Sequence, residues 1–243
     1  MLEGMYSAAA GMAAQQQQLD AIGNDLANLS TTGYKSSRIA FSDLLYNQVE
    51  MAGTVTTHGA GASATMIGQS AGEGSLRETG NPLDLAIEGD GYFQVTGPGG
   101  KVALTRAGTF SLDANGAIVN AFGNQLSPPI KVPAGVSPGE VHISSAGDVT
   151  AGTRKLGQIQ IVTVASPAHL LGEANGLLAT NAASGAPHAA AGATLRQGAL
   201  EQSNVDVAKE MSLMVSTQRS FQMASSAIQT ESQMMTMANQ LRA

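Results

Sequence analysis

The chain has no cysteine and no tryptophan, and only 4% of its 243 residues are aromatic and 12% charged. Without cysteine, neither disulfides nor thiolate metal sites contribute. With so few aromatics, a core drawn from 43% apolar residues has to rely on Ala, Val, Leu, Ile and Met, which suits thin sheets and helical seams. Twelve basic residues against eighteen acidic ones leave a net charge of −6 with no basic stripe. That excludes a nucleic-acid partner, because phosphate contact needs clustered cations. No apolar run approaches the roughly 20 residues of a membrane span, so direct membrane insertion is not expected. Met1–Tyr6 also lacks the basic start and apolar run of a secretory signal.

Catalytic and metal chemistry is missing by the same reading, and no cofactor is expected. His58, His142, His169 and His188 are scattered, with neither helical spacing nor nearby paired carboxylates. Gly89-Asp90-Gly91 and Asp113-Ala114-Asn115-Gly116 look superficially like calcium loops, but both lack the later acidic ligands such loops need, so they read as turns. Asp84, Glu88 and Asp90 are the one dense acidic group in the middle of the chain, and their face is expected to be solvated.

What is present is a pair of helical patterns at opposite ends. Met5, Met12, Leu19 and Leu26 recur every seven residues, and Ala8, Gln15, Ile22 and Leu29 form a second row beside them. At the far end Val207, Met214, Phe221, Ile228 and Met235 keep the same interval, so both ends read as coiled-coil-like seams and candidate assembly surfaces. The methionine-rich stripe Met211, Met214, Met223, Met234, Met235 and Met237 reads as ordinary core packing. The first helix is expected over Leu2–Ala27 with Gly33 as its left-handed stop, and the last after a cap at Asn204 or Asp206.

Between the helices the period shifts toward two. Strands are expected at Leu83–Ile87, Tyr92–Val95, Lys101–Thr105, Val141–Ser144 and Ile159–Val164, with a hairpin from Thr109 to Val119 turning at Asn115-Gly116. Tyr34–Tyr46 is mixed, with Phe41, Leu44 and Leu45 as a short helix or docking strip. Gly53–Gly74 is mostly Gly, Ala, Ser and Thr, expected to be an extended or mobile arm, and Asn181–Gly192 a loop. The fold class is α+β: discontinuous N- and C-terminal coiled-coil-like helices flank a β-rich central domain. The expected parts are residues 1–46 (helix and connection), 47–75 (arm), 76–199 (β-rich domain) and 200–243 (a helix pairing with the first).

Four stretches carry a family resemblance. They are Gln15 to Lys35, with Asn24, Leu26, Ala27, Asn28, Thr31, Gly33, Tyr34 and Lys35; Ala86 to Val95, with Gly89, Gly91 and Phe93; Thr105 to Phe110, with Arg106 and Gly108; and Gln197 to Asp206, with Ser203, Asn204 and Val205. In order and content the chain resembles the axial proteins of the bacterial flagellum, the rod and hook group. Phe41–Tyr46 looks most like a distal rod protein; a proximal rod or other hook–basal-body axial protein is the alternative.

The resemblance implies a structural subunit that stacks helically into a hollow shaft carrying torque to the hook. Its implied partners are further copies of itself, other rod, hook and hook–basal-body proteins, and the flagellar type III export apparatus. Its implied location is the basal body in the cell envelope, reached without a cleaved signal peptide. The competing reading, a secreted β-rich binding or carbohydrate-active module, requires a pocket with convergent acids and aromatics, for which the aromatics are too few.

Overall fold

The computed structural model describes residues 2–44, 47–51, 54–97 and 100–241. It divides into two compact units. One comprises residues 1–27, 37–67 and 206–243, and the other residues 28–36 and 68–205.

The first unit is built on two helices, α1 (Leu2–Ala27) and α2 (Val207–Gln240), which pack against each other. Within α1 the only β-branched residue is Ile22 and there is no proline, so side-chain entropy does not oppose the helix. α2 is free of glycine and proline over 34 residues. Of the two candidate caps it uses Asp206, whose Oδ1 accepts the N–H groups of Ala208 (3.0 Å) and Lys209 (3.2 Å). The sequence rows take up the facing sides. Ile22 is buried and Met5, Met12, Leu19 and Leu26 half-buried, while Met214, Phe221, Ile228 and Met235 are half-buried on the side of α2 that carries buried Glu210 and Thr217.

Several expectations are corrected here. Val207 is exposed at the first position of α2, and Leu29 is exposed beyond the end of α1, because the helix stops before its row reaches that position. Of the methionine stripe only Met214 and Met235 turn inward; Met211, Met223, Met234 and Met237 lie on the solvent side, because six positions spread over α2 cannot share one face. The mixed segment is the strand Ser37–Asp43, with Phe41 and Leu44 exposed; Leu45 and Tyr46 lie outside the described residues.

The expected arm contains three strands. Asn47–Met51 pairs antiparallel with Thr54–His58, and Ala62–Gln69 pairs with Ser37–Asp43. Main-chain pairing supplies what small side chains cannot, and Thr54-Val55-Thr56-Thr57 is a run of β-branched residues.

The second unit is β-rich, with single-turn 3-10 helices at Pro138–Glu140, Pro167–His169 and Ala174–Gly176. Its largest sheet has nine strands, and a three-stranded sheet runs over Val141–Ile143, Asp148–Ala151 and Arg154–Gln158. The expected hairpins form: Tyr92–Thr96 pairs with Val102–Thr105, and Phe110–Leu112 with Ile118–Asn120. In the second turn Asp113 Oδ1 accepts the N–H groups of Asn115 (2.8 Å) and Ala117 (2.7 Å), and Gly116 takes φ +76°. The core joins Leu85, Ile87, Phe93, Val95, Phe110, Ile118, Leu126 and Val149, with Phe93 and Phe110 edge-to-face at 5.2 Å.

Two local readings change. Leu85–Glu88 does not pair with the strand that follows it but with Thr194–Gln197, from the far end of the unit. Leu83 to Ile87 is buried at every position, Asp84 included. Asp84 is tolerated there because its carboxylate accepts Thr79 Oγ1 (2.7 Å) and Asn81 Nδ2 (2.9 Å), whereas Glu88 and Asp90 do face solvent. Within Asn181–Gly192, expected as loop throughout, His188–Ala189 makes a short pairing with Val162–Thr163.

Candidate functional site

The second unit receives and returns the chain through three segments: residues 28–36, the stretch from residue 68, and the stretch ending at residue 205. Each is fixed by features visible locally. Gly33 sits at φ +69°, and a Cβ there would stand 2.6 Å from the Arg106 carbonyl carbon, so the turn near the end of the first motif requires glycine. Its N–H donates to the Glu201 carbonyl at 2.9 Å. The strand Ala199–Glu201 pairs with Leu76–Glu78, bringing the last motif beside the second segment.

At their meeting point lies a buried ionic node. The Glu201 side chain, 1% exposed, accepts Lys35 Nζ at 2.6 Å on Oε1 and Arg106 Nε at 2.5 Å on Oε2. The Gly74 N–H adds a third donor to Oε1 at 2.9 Å. Lys35 also donates to the Gly72 carbonyl at 2.7 Å. The Arg106 guanidinium spends its other donors on the carbonyls of Gly91, Gly89 (2.9 Å) and Ile87 (3.4 Å). Glu73, half exposed, accepts the Gly89 N–H at 2.6 Å and lies 3.9 Å from Arg106. Asn204 completes the stitching, accepting the Ser36 N–H and donating to the Gly72 carbonyl, both at 2.8 Å.

Three buried charges are costly, and the node offsets that cost by pairing the anion with two cations and giving Arg106 four acceptors. The Glu201 pKa shows the balance. Burial pushes it up, but the Lys35 hydrogen bond, the Arg106 charge and hydrogen bond and the Gly74 N–H outweigh burial and hold it below the ordinary carboxylate value. Such a site positions chain segments, through groups that bond chiefly to one another and to nearby main chain.

Residues from all four sequence motifs meet here: Gly33 and Lys35 from the first, Gly89 and Gly91 from the second, Arg106 from the third and Asn204 from the fourth. Other motif residues serve elsewhere in the same unit. Phe93 and Phe110 form the core contact, and Val205 is buried. Thr31 Oγ1 donates to Asn28 Oδ1 at 3.1 Å, and Ser203 Oγ accepts the Val205 N–H at 3.3 Å. Gly108 lies so close to Leu85 that a Cβ would stand 1.6 Å from its carbonyl oxygen. Asn24, Leu26 and Ala27 belong to α1, in the first unit. Sequence reasoning missed Glu201 as a site residue, together with Gly72, Gly74 and Glu73. The available signal was an acid directly after Ala199-Leu200 in a chain otherwise sparing of charge.

The profile of the flagella basal body rod protein matches residues 5–35, that of the flagellar hook protein FlgE/F/G D1 domain residues 86–151, and that of the flagellar basal body rod FlgEFG protein C-terminal region residues 196–241. The flagellar basal-body rod protein FlgG of Borreliella burgdorferi is 36% identical over 100% of this chain and 99% of its own length. The FlgG proteins of Caulobacter vibrioides (34%; 99% and 100%) and Bacillus subtilis (36%; 97% of each) match as completely. The chain belongs to the flagellar basal-body rod protein family. The flagellar hook protein FlgE of Brucella abortus is 39% identical but over only 50% of this chain and 30% of its own, so the likeness to the rod proteins is the one that spans the molecule. The rod protein is thus a structural subunit of the distal-rod type, and among its described residues no helix is long and apolar enough to cross a membrane.

Proposed function

We propose that the node is the mechanical junction of a non-enzymatic shaft subunit, and that α1 and α2 supply the surfaces through which copies stack. By covalent connectivity, force passing along the chain between the two units must pass through the crossing segments at residues 27–28, 36–37, 67–68 and 205–206. Lys35, Gly72, Gly74, Glu201 and Asn204 bind those segments to one another, and Arg106 binds them to the β sheet. The convergence of four distant motifs on that one point carries the reading. Short charge-assisted bonds resist shear better than small apolar contacts, which slide at little cost.

The seam rows Met5, Met12, Leu19, Ile22, Leu26, Met214, Phe221, Ile228 and Met235 are only partly covered within one chain, except Ile22, and the opposite side of α2 exposes Met211, Val215, Met223, Met234 and Met237. Completing the burial of a large apolar side chain yields up to about 1.5–3 kcal/mol, and a helical array repeats each such contact many times. Further copies, neighbouring rod and hook proteins and the type III export apparatus are the partners this reading assigns.

The test is Leu26→Asp and Phe221→Asp, each scored by motility and by electron microscopy of isolated basal bodies. Either should leave the β unit folded and the protein exported yet build no shaft, because an unpaired carboxylate in a dry contact costs several kcal/mol. Normal filaments on cells carrying both changes would remove these rows from the assembly surface.

A further inference from the structure

α1 and α2 run antiparallel, and each end of the pair holds a glutamate from α2. Glu231 packs on Gly4 near the start of α1, its carboxylate oxygens 3.2 and 3.4 Å from where a Cβ on that glycine would stand. Glu210, 21 positions earlier and so on the same row of α2, faces Asp25 near the end of α1. The two settings are electrically opposite. The start of α1 presents unpaired N–H groups that favour an anion, and its end presents unpaired carbonyls that disfavour one. The start of α2 offers Glu210 little compensation, because Asp206 already accepts its amides at Ala208 and Lys209.

Glu210 is also buried, at 9% exposure, against an Asp25 that is 2% exposed. Asp25 is held as an acceptor, since both its oxygens take the Ser37 N–H, at 3.1 and 3.0 Å. Among the described residues no lysine or arginine stands within ion-pair distance of Glu210. The charged groups acting on it are Asp25 from α1 and Lys209 and Asp206 from its own helix, two acids against one base. Arg38 and Asp43, on the strand that packs on α1, are exposed and not among them.

We infer that Glu210 is a proton-operated latch of the helix pair, carried as the neutral acid while α1 and α2 are packed and loosening them when it ionises. Burial first, and then the Asp25 charge, raise its pKa above the ordinary value of 4.5, in keeping with that geometry. The neutral acid donates one O–H and repels nothing, whereas the anion sets a second negative charge beside the buried Asp25 with no cation paired to it. A raised folded-state pKa means that the latch's contribution is complete below 4.5 and is lost as pH rises through the folded value. The inference concerns the chain alone and does not depend on the assembly reading.

The test uses the full chain at concentrations where it is monomeric. Carboxyl-carbon NMR, with Glu210 assigned through bonds in the unsubstituted protein, should give it a pKa above 4.5; a value at or below 4.5 overturns the latch. Amide exchange in α2, corrected for intrinsic rates, should show opening that grows by up to about tenfold per pH unit between 4.5 and the raised value and then levels off. Glu210→Gln should abolish that slope and protect α2 more than the unsubstituted chain at pH 7.5. An unchanged slope, or weaker protection at pH 7.5, refutes the inference. Should the variant not fold, the carboxyl titration decides alone.

Discussion

Replacing Arg106 with alanine probes the node most directly. The substitution removes the donor to Glu201 Oε2 and the donors to three carbonyls, those of Ile87 and Gly91 buried and that of Gly89 partly buried. Lys35 still pairs with Glu201 at 2.6 Å, so the anion keeps one counter-charge and the loss is not that of an isolated ion. Breaking a buried pair by removing one partner costs about 3–5 kcal/mol. At roughly 2–4 °C per kcal/mol for a body of this size, the second unit should melt about 6–20 °C lower. Differential scanning calorimetry of the full chain, with near-ultraviolet circular dichroism to follow tyrosine packing, measures it.

A companion variant separates charge pairing from packing. The triple change Lys35→Met, Arg106→Met, Glu201→Leu should destabilise less than Arg106→Ala: both lose the Arg106 donors to the carbonyls of Ile87, Gly89 and Gly91, but only the single change leaves a buried anion short of a cation. A single variant within about 1 kcal/mol of the parent, or a triple variant worse than the single, would refute the view that the node's worth lies in mutual satisfaction.

Acid should weaken the node, because the Glu201 pKa is held down: its contribution is present above the ordinary value of 4.5 and is lost as pH falls through the lower folded value. Melts from pH 7 to 3 should therefore converge between parent and Glu201→Gln. Gly108→Ala drives a Cβ into the Leu85 carbonyl and should cost about 4 kcal/mol or more, seen as loss of soluble folded protein, where Gly139→Ala, with open space around it, should be neutral. Asp113→Ala removes acceptors of two turn amides at an exposed hairpin and should leave motility intact, against the non-motile Leu26→Asp and Phe221→Asp.

The sequence by itself determined what is local. Seven-residue rows without proline fixed α1 and α2, because helical periodicity is written in neighbouring turns. Asn115-Gly116 fixed the hairpin closing at Ile118, because only a few residue types accept positive φ. It also carried the family, through motifs whose order survives without any knowledge of why they recur. Tertiary structure alone decided what depends on distant partners. Leu85–Glu88 pairs with Thr194–Gln197 and not with the next strand, and Asp84 is buried, because strand neighbours and burial are set by the whole sheet. The 47–75 stretch gained strands for the same reason: main-chain pairing needs a partner and not a large side chain. The node is the extreme case. Lys35 and Glu201 lie 166 residues apart, and nothing in a charge read along the chain says which opposite charge will meet it once water is excluded.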